Sequence, residues 1–218
     1  MFKRINLIKY KIIMNNKKVW IGGNHSALAA LNNKKRIIYE VVTLEQNLKL
    51  DNLKIKYQIK NKKFFSKIFF NSHISHQGIA VLASIPEYPN LNNIINKIKN
   101  AAILDGITDP MNIGTIIRNC VAFDIDTVII NERDFNDTSS SMIKAASGAL
   151  EKINICKVKN LMNVIKILKK ENFWIIGLDS NSSKKINNHV WDKKNAFIFG
   201  SEGHGMKNIL KKNCDHVL

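Results

Sequence analysis

Acidic side chains are scarce in this chain: 17 Asp and Glu face 34 Lys and Arg, a formal charge of +17 over 218 residues. That shortage argues against a cationic partner and for a polyanion, with nucleic acid favoured over an anionic membrane face. Part of the excess is compositional, because Lys, Asn and Ile crowd the chain as an AT-rich genome dictates. Cysteine is also rare. Cys120, Cys156 and Cys214 are odd in number, far apart and without a C-x-x-C pair, which suits neither a disulfide framework nor a zinc site and points to a reducing cytoplasm. No apolar run reaches the roughly 18 residues of a membrane span. The opening MFKRINLIKYKIIM has neither the continuous apolar core nor the cleavage site of a secretory signal. Residues 1–17 therefore read as a basic, disordered tail, with Met14 a candidate start.

What is present suffices for a globular core, since 45% of the residues are apolar. Two of the three prolines, Pro86 and Pro89, fall in SIPEYPNLNN and disfavour both helix and central strand there. Residues 86–99 thus read as a linker between a small α/β domain, 18–85, and a larger one, 100–218. In the first, the pattern predicts helices over 26–31 and 62–70 and strands over 37–44, 54–59 and 79–83. In the second, apolar strands at 101–104, 127–130, 153–158, 173–178 and 196–199 alternate with helices at 113–123, 140–150 and 161–170. Strands so uniformly apolar are covered on both faces, which predicts an α/β fold with a mostly parallel sheet between helices.

Two segments carry candidate chemistry. In LDGITDPMNIGTIIRNC, a strand ends at Leu104 and the turn residues Asp109 and Pro110 deliver Asn112 to a helix N-terminus. Functional atoms there lie at the carboxyl end of a strand, where open α/β sheets bind ligands. Taken alone, Asn112 reads as a helix N-cap and Arg118 as a solvated helix residue. The second segment, AFIFGSEGHGM, is a buried strand, a glycine-rich turn and the start of a helix. Gly200, Gly203 and Gly205 permit positive φ and close backbone approach. No Gly-Lys-Ser/Thr follows, and the spacing fails the dinucleotide fingerprint; a nucleotide-binding oxidoreductase would rest on glycines and strand alternation alone.

Both segments resemble motifs of the SpoU branch of knotted RNA methyltransferases. IGGNHSALAAL and HISHQGIAV likewise resemble the start and finish of the small domain of its ribosomal RNA members. The resemblance covers about residues 19–218. It implies a small α/β RNA-binding domain before an α/β-knot domain, S-adenosyl-L-methionine (AdoMet) as cofactor, and methyl transfer to a ribose 2′-hydroxyl, of a guanosine in large-subunit rRNA. The alternatives are a tRNA-directed member or a non-catalytic RNA-binding paralogue. It makes Asn112, Arg118 and Glu202 catalytic candidates, with Leu178, Gly200, Ser201, Glu202, Gly203 and Gly205 around the cofactor. Arg118 would stabilise the emerging alkoxide. It places Asn24, His25, Arg36, His76, Gln77 and Arg118 against RNA, with the lysine clusters Lys34–Lys35 and Lys60, Lys62 and Lys63 as phosphate contacts. A cytoplasmic homodimer is implied.

No metal is expected, because His73 and His76, at i and i+3, have no Cys or carboxylate at ligand spacing. The family's third motif, an apolar-Pro-Met segment followed by Ser-Leu-Asn, would come after CDHVL, where this sequence stops. The domain is accordingly expected to be truncated at its C-terminus and its knot incomplete, leaving apolar faces near the Gly200 turn uncovered.

Overall fold

The computed structural model describes residues 18–70, 75–184, 186–188 and 194–218. The chain forms two units, Met1–Glu87 and Tyr88–Leu218. The basic tail and His73 lie outside the described residues.

The first unit runs β1 (Lys18–Gly22), α1 (Asn24–Asn32), β2 (Ile38–Thr43), α2 (Leu48–Asn52), β3 (Gln58–Ile59), α3 (Lys62–Ile68) and β4 (Ile79–Ser84). Its sheet has the order β1-β4-β2-β3, with β4 antiparallel to both neighbours and β3 parallel to β2. Phe65 and Phe69 of the α3 segment pack on Val42 and Ala80 of the sheet. Two expectations change here. KVWIG is a strand, and the strand expected over 54–59 shrinks to Gln58–Ile59 behind the short helix α2. Asn47 starts that helix by accepting from the Leu50 N–H at 3.2 Å, the usual service of Asn at an N-cap.

The second unit continues with α4 (Leu91–Ile94), β5 (Asn100–Asp105), α5 (Pro110–Ala122), β6 (Thr127–Asn131), α6 (Ser140–Ala146), β7 (Asn154–Val158), α7 (Leu161–Lys170), β8 (Phe173–Leu178), β9 (Lys194–Gly200), α8 (Asn208–Lys211) and β10 (His216–Val217). Its six strands are all parallel, in the order β10-β8-β9-β5-β6-β7. Helices cover both faces, as the apolar strands require. Ile113 and Ile117 of α5 and Met142 of α6 pack on Leu104, Val128 and Ile130. On the other face, Val164, Ile165 and Leu168 of α7 and Leu210 of α8 pack on Ile103, Ile129 and Ile198.

The stretch expected as a linker departs from that reading. Beyond Asn90, which caps α4 by accepting from the Asn92 N–H at 3.0 Å, helical turns bury Leu91, Ile95 and Ile98 in the core of the second unit. The two prolines bar regular structure only before Asn90; after it, apolar residues at 91, 94, 95 and 98 have helical spacing and a sheet to cover. Among the described residues, no helix is long and apolar enough to cross a membrane.

Candidate active site

The sheet order reverses beside β5. From it the chain adds β6 and β7 on one side, then returns to the other for β8, β9 and β10. At such a reversal the loops leaving neighbouring strands part to opposite faces and open a crevice at the carboxyl ends. Here β5 and β9 form its two walls, with Asp105 level with Gly200. The crevice encloses about 370 Å³ between the loop 106–109 and the start of β9's turn, and Asn112, Thr115, Gly200, Ser201 and Glu202 line it.

Helix α5 enters this crevice by its first turn. Asp109, not Asn112, is the cap: its carboxylate accepts from the Met111 N–H at 3.1 Å, and Pro110 follows where its missing N–H has no consequence. Released from capping, the Asn112 side chain donates from Nδ2 to Glu202 Oε1 at 2.8 Å, across 90 residues of sequence. The two segments singled out for their chemistry are therefore hydrogen-bonded to each other.

The glycine turn closes on itself through paired backbone bonds between Ser201 and Gly205, at 3.1 and 2.8 Å, and leaves Glu202, Gly203 and His204 exposed at its tip. A Cβ on Gly200 would lie 2.2 Å from the carbonyl carbon of Gly205 and the nitrogen of Met206, so no side chain fits there. Gly205 has φ +64°, while Gly203 has neither a positive φ nor a close neighbour. Only two of the three glycines do what the turn requires.

Asp105 secures the turn from beneath. This last residue of β5 is 1% exposed. Its Oδ2 accepts from the Lys207 backbone N–H at 2.8 Å, and Lys207 Nζ lies 3.1 Å from Oδ1 in an ionic contact that is not an aligned hydrogen bond. Asp105 is not among the candidate residues named from the motifs; its one signal in the sequence is a carboxylate directly ending the apolar run 101–104.

Residues 99–218 match the model of the SpoU rRNA Methylase family. The chain belongs to this family. Among its relatives, a Staphylococcus epidermidis protein named for the TrmH family of tRNA/rRNA methyltransferases is 35% identical over 156 residues, covering 69% of this chain and 63% of that protein. An uncharacterised tRNA/rRNA methyltransferase of Synechocystis is 28% identical over 212 residues, covering 90% of this chain and 54% of that one. The chain thus spans less than two thirds of the length of the curated relatives it matches. The fold is that of the SpoU methyltransferase AviRb from Streptomyces viridochromogenes, crystallised in complex with the cofactor AdoMet, with TM-score 0.74 and 15% identity over 92% of this chain and 80% of that one.

Within this SpoU domain the candidate residues separate. Asn112, Gly200, Ser201 and Glu202 share the crevice, with Gly203 and Gly205 on the turn above it. Leu178 ends β8, in register with Phe199, and faces an adjoining apolar groove of about 510 Å³ with Ile116, Phe197 and Phe199. Cys120 also borders that groove, and burial pushes its thiol up to about 12, so at neutral pH it is a packing group and not a nucleophile. Arg118 is exposed and is not among the crevice residues. It follows Asn112 by six positions, a rotation of about 240° at 100° per residue, and so stands about 120° around α5 from Asn112, close in phase to the exposed Met111.

In the first unit, Asn24 and His25 open α1 with exposed side chains, and the Asn24 N–H donates to Gln77 Oε1 at 3.0 Å. His76 adjoins them, its ring 4.5 Å from that of Phe65 and its Nδ1 accepting from Gly78. Arg36 departs from its expected role. It is 8% exposed and its guanidinium donates to the Ser84 carbonyl, a structural tie poorly placed for a phosphate. Among the described residues, no group of three or more His, Cys, Asp or Glu could hold a metal ion.

Proposed function

We propose that the chain transfers a methyl group from AdoMet to a ribose 2′-hydroxyl of RNA, the target being a guanosine of large-subunit ribosomal RNA. The observation that carries this reading is the Asn112–Glu202 hydrogen bond, which joins the two family motifs at one rim of one sheet. The residues present fit AdoMet. The Gly200–Ser201 backbone and the Glu202 carboxylate offer polar contacts beside the apolar wall of Leu178 and Phe199, a combination suited to a nucleoside bearing a charged tail.

When bound, AdoMet supplies an electrophilic methyl group on a sulfonium centre. The protein's part is alignment, an effect that reaches about 7–11 kcal/mol in favourable cases. Asn112 and Glu202 fix the glycine turn against α5 and orient the sugar. Arg118 stabilises the emerging alkoxide; a guanidinium stays protonated in proteins and serves far better as that than as a base.

Arg118 is exposed and does not line its own crevice, and we assign it to the crevice of a second copy. Met111 and Phe123, 60% and 76% exposed on the α5 segment beside it, supply apolar surface for a homodimer. The first unit holds RNA through Asn24, His25, His76 and Gln77, and the protein acts in the cytoplasm.

The test is incubation with tritiated AdoMet and a large-subunit rRNA transcript, followed by alkaline hydrolysis. A 2′-O-methyl group protects the adjoining phosphodiester, so label in an alkali-stable dinucleotide containing guanosine is expected. Label on a base refutes ribose chemistry, and label on tRNA alone moves the target to tRNA. A folded chain that retains RNA yet fails to bind AdoMet is a non-catalytic RNA-binding protein.

A further inference from the structure

We propose that the outer face of α3 and the turn after it form a stacking platform for an unpaired RNA base, with Phe70 as the ring and Lys63 and Lys67 as the phosphate contacts. The proposal rests on the reading of the chain as an RNA-binding protein, in which Lys63 is already a candidate phosphate contact, and adds the base-stacking ring that reading does not contain. It begins from the packing of α3. Phe65 and Phe69 face the sheet, at 0% and 7% exposure. Lys63, Ser66 and Lys67, at i, i+3 and i+4, are therefore turned outward together, and all three are exposed.

Phe70 ends this face 80% exposed, in one shallow groove with Lys63, Phe64, Ser66 and Lys67. A single exposed aromatic is ordinary on a protein surface; its surroundings are not. From Asn52 to Pro86 the sequence has six lysines and no acidic residue, whereas the chain as a whole has one acid for every two bases. Among the described residues, none of these lysines forms an ion pair. Lys60 Nζ already sits 5.6 Å from the Phe64 ring centre, so a cation borders aromatic surface here.

An uncompensated row of ammonium groups beside an accessible ring complements a polyanion that also offers flat apolar faces. Unpaired RNA has both; in a duplex the base faces are stacked away. An anionic lipid surface shares only the charge, and an acidic peptide has no flat face to stack.

Fluorescence anisotropy of the full chain with a labelled uridine oligomer of about 12 nucleotides, against an RNA duplex of the same length, tests this. Phe70→Ala is expected to weaken binding of the single strand at least about 5-fold, the lower end for loss of one stacked base, and to leave duplex affinity within about 2-fold. Phe70→Trp should restore binding and Phe70→Leu should not. Lys63→Ala with Lys67→Ala should reduce the slope of log affinity against log salt by about 0.7 per phosphate contact. An unchanged melting temperature shows that these surface variants fold.

If the chain binds RNA and Phe70→Ala binds the single strand as tightly as wild type, the platform is refuted while the RNA reading survives. Restoration by Leu replaces stacking with a generic apolar contact and overturns the proposal. An equal loss of binding to phosphatidylserine vesicles makes the patch a membrane contact instead. Absence of any RNA binding at low salt sinks both the platform and the reading beneath it.

Discussion

Replacing Asp105 by alanine should loosen the glycine turn more than any other change made outside it. The carboxylate makes two separate contacts with one residue, a 2.8 Å bond from the Lys207 backbone N–H and a 3.1 Å ionic contact with its ammonium. A hydrogen bond to a charged acceptor is worth about 1.5–3 kcal/mol net. The Lys207 side chain is 59% exposed, so the ionic contact is screened by water and adds no more than about 1 kcal/mol. Alanine removes both contacts and should destabilise the second unit by about 2–3 kcal/mol, most of it from the stranded backbone donor. Asparagine keeps an acceptor for that N–H and should cost only about 1 kcal/mol. With a urea slope of about 2 kcal/mol/M, the alanine midpoint falls by about 1 M and the asparagine midpoint by roughly half as much or less. Hydrogen exchange over 200–207 gives a local readout: faster exchange with alanine and near-native exchange with asparagine are expected. Equal midpoint shifts for the two variants, or unchanged exchange in 200–207, would refute the assignment of Asp105 as the anchor of the turn.

Arg118→Ala should leave AdoMet affinity unchanged by titration calorimetry and reduce methyl transfer by about 10²- to 10³-fold, the scale for losing one group that stabilises developing negative charge; unchanged turnover removes Arg118 from the reaction. Gly200→Ala should abolish AdoMet binding and lower the melting temperature, because its Cβ meets backbone 2.2 Å away that has no side chain to rotate aside. The thiols of Cys120 and Cys156 are both raised from the ordinary 9.0 to about 12 by burial. A pKa raised by folding gives stability that is complete below the unfolded value and lost as pH climbs through the folded one. Urea midpoints should therefore fall between about pH 9 and 12, and a Cys120→Ala, Cys156→Ala variant should show a shallower decline.

The second unit was legible because its strands are unbroken apolar runs: 173–178 and the helix 161–170 emerge with the boundaries that the pattern predicts. The first unit was harder. KVWIG is too short to show a period, and in LKLDN only Leu50 is buried, so one apolar position had to signal a helix. The linker reading failed because prolines report on their immediate neighbours and say nothing of the Leu91, Ile95 and Ile98 stripe just beyond.

At the site, the motifs identified Asn112, Gly200 and Glu202, but not that Asn112 and Glu202 touch. That contact depends on which strands are neighbours, and the order of strands in a sheet leaves no local trace. That Arg118 stands about 120° around α5 from Asn112 follows from helix phase alone and is available once the helix is placed. The burial of Arg36 is not, because a guanidinium in a Lys-rich stretch has the same sequence signature whether it faces water or the Ser84 carbonyl.

The position of β9 has a consequence for how the protein comes together. It is an interior strand, yet both of its neighbours, β5 and β8, precede it in the chain. Until β9 is seated between them, Asp105 has no Gly200 beside it and Asn112 has no Glu202 to reach. Contacts this distant in sequence are slow to form because a long loop must close first. One wall of the crevice is thus delivered by a strand that must insert between two earlier ones, and the chemistry it supports exists only in molecules where that insertion has taken place.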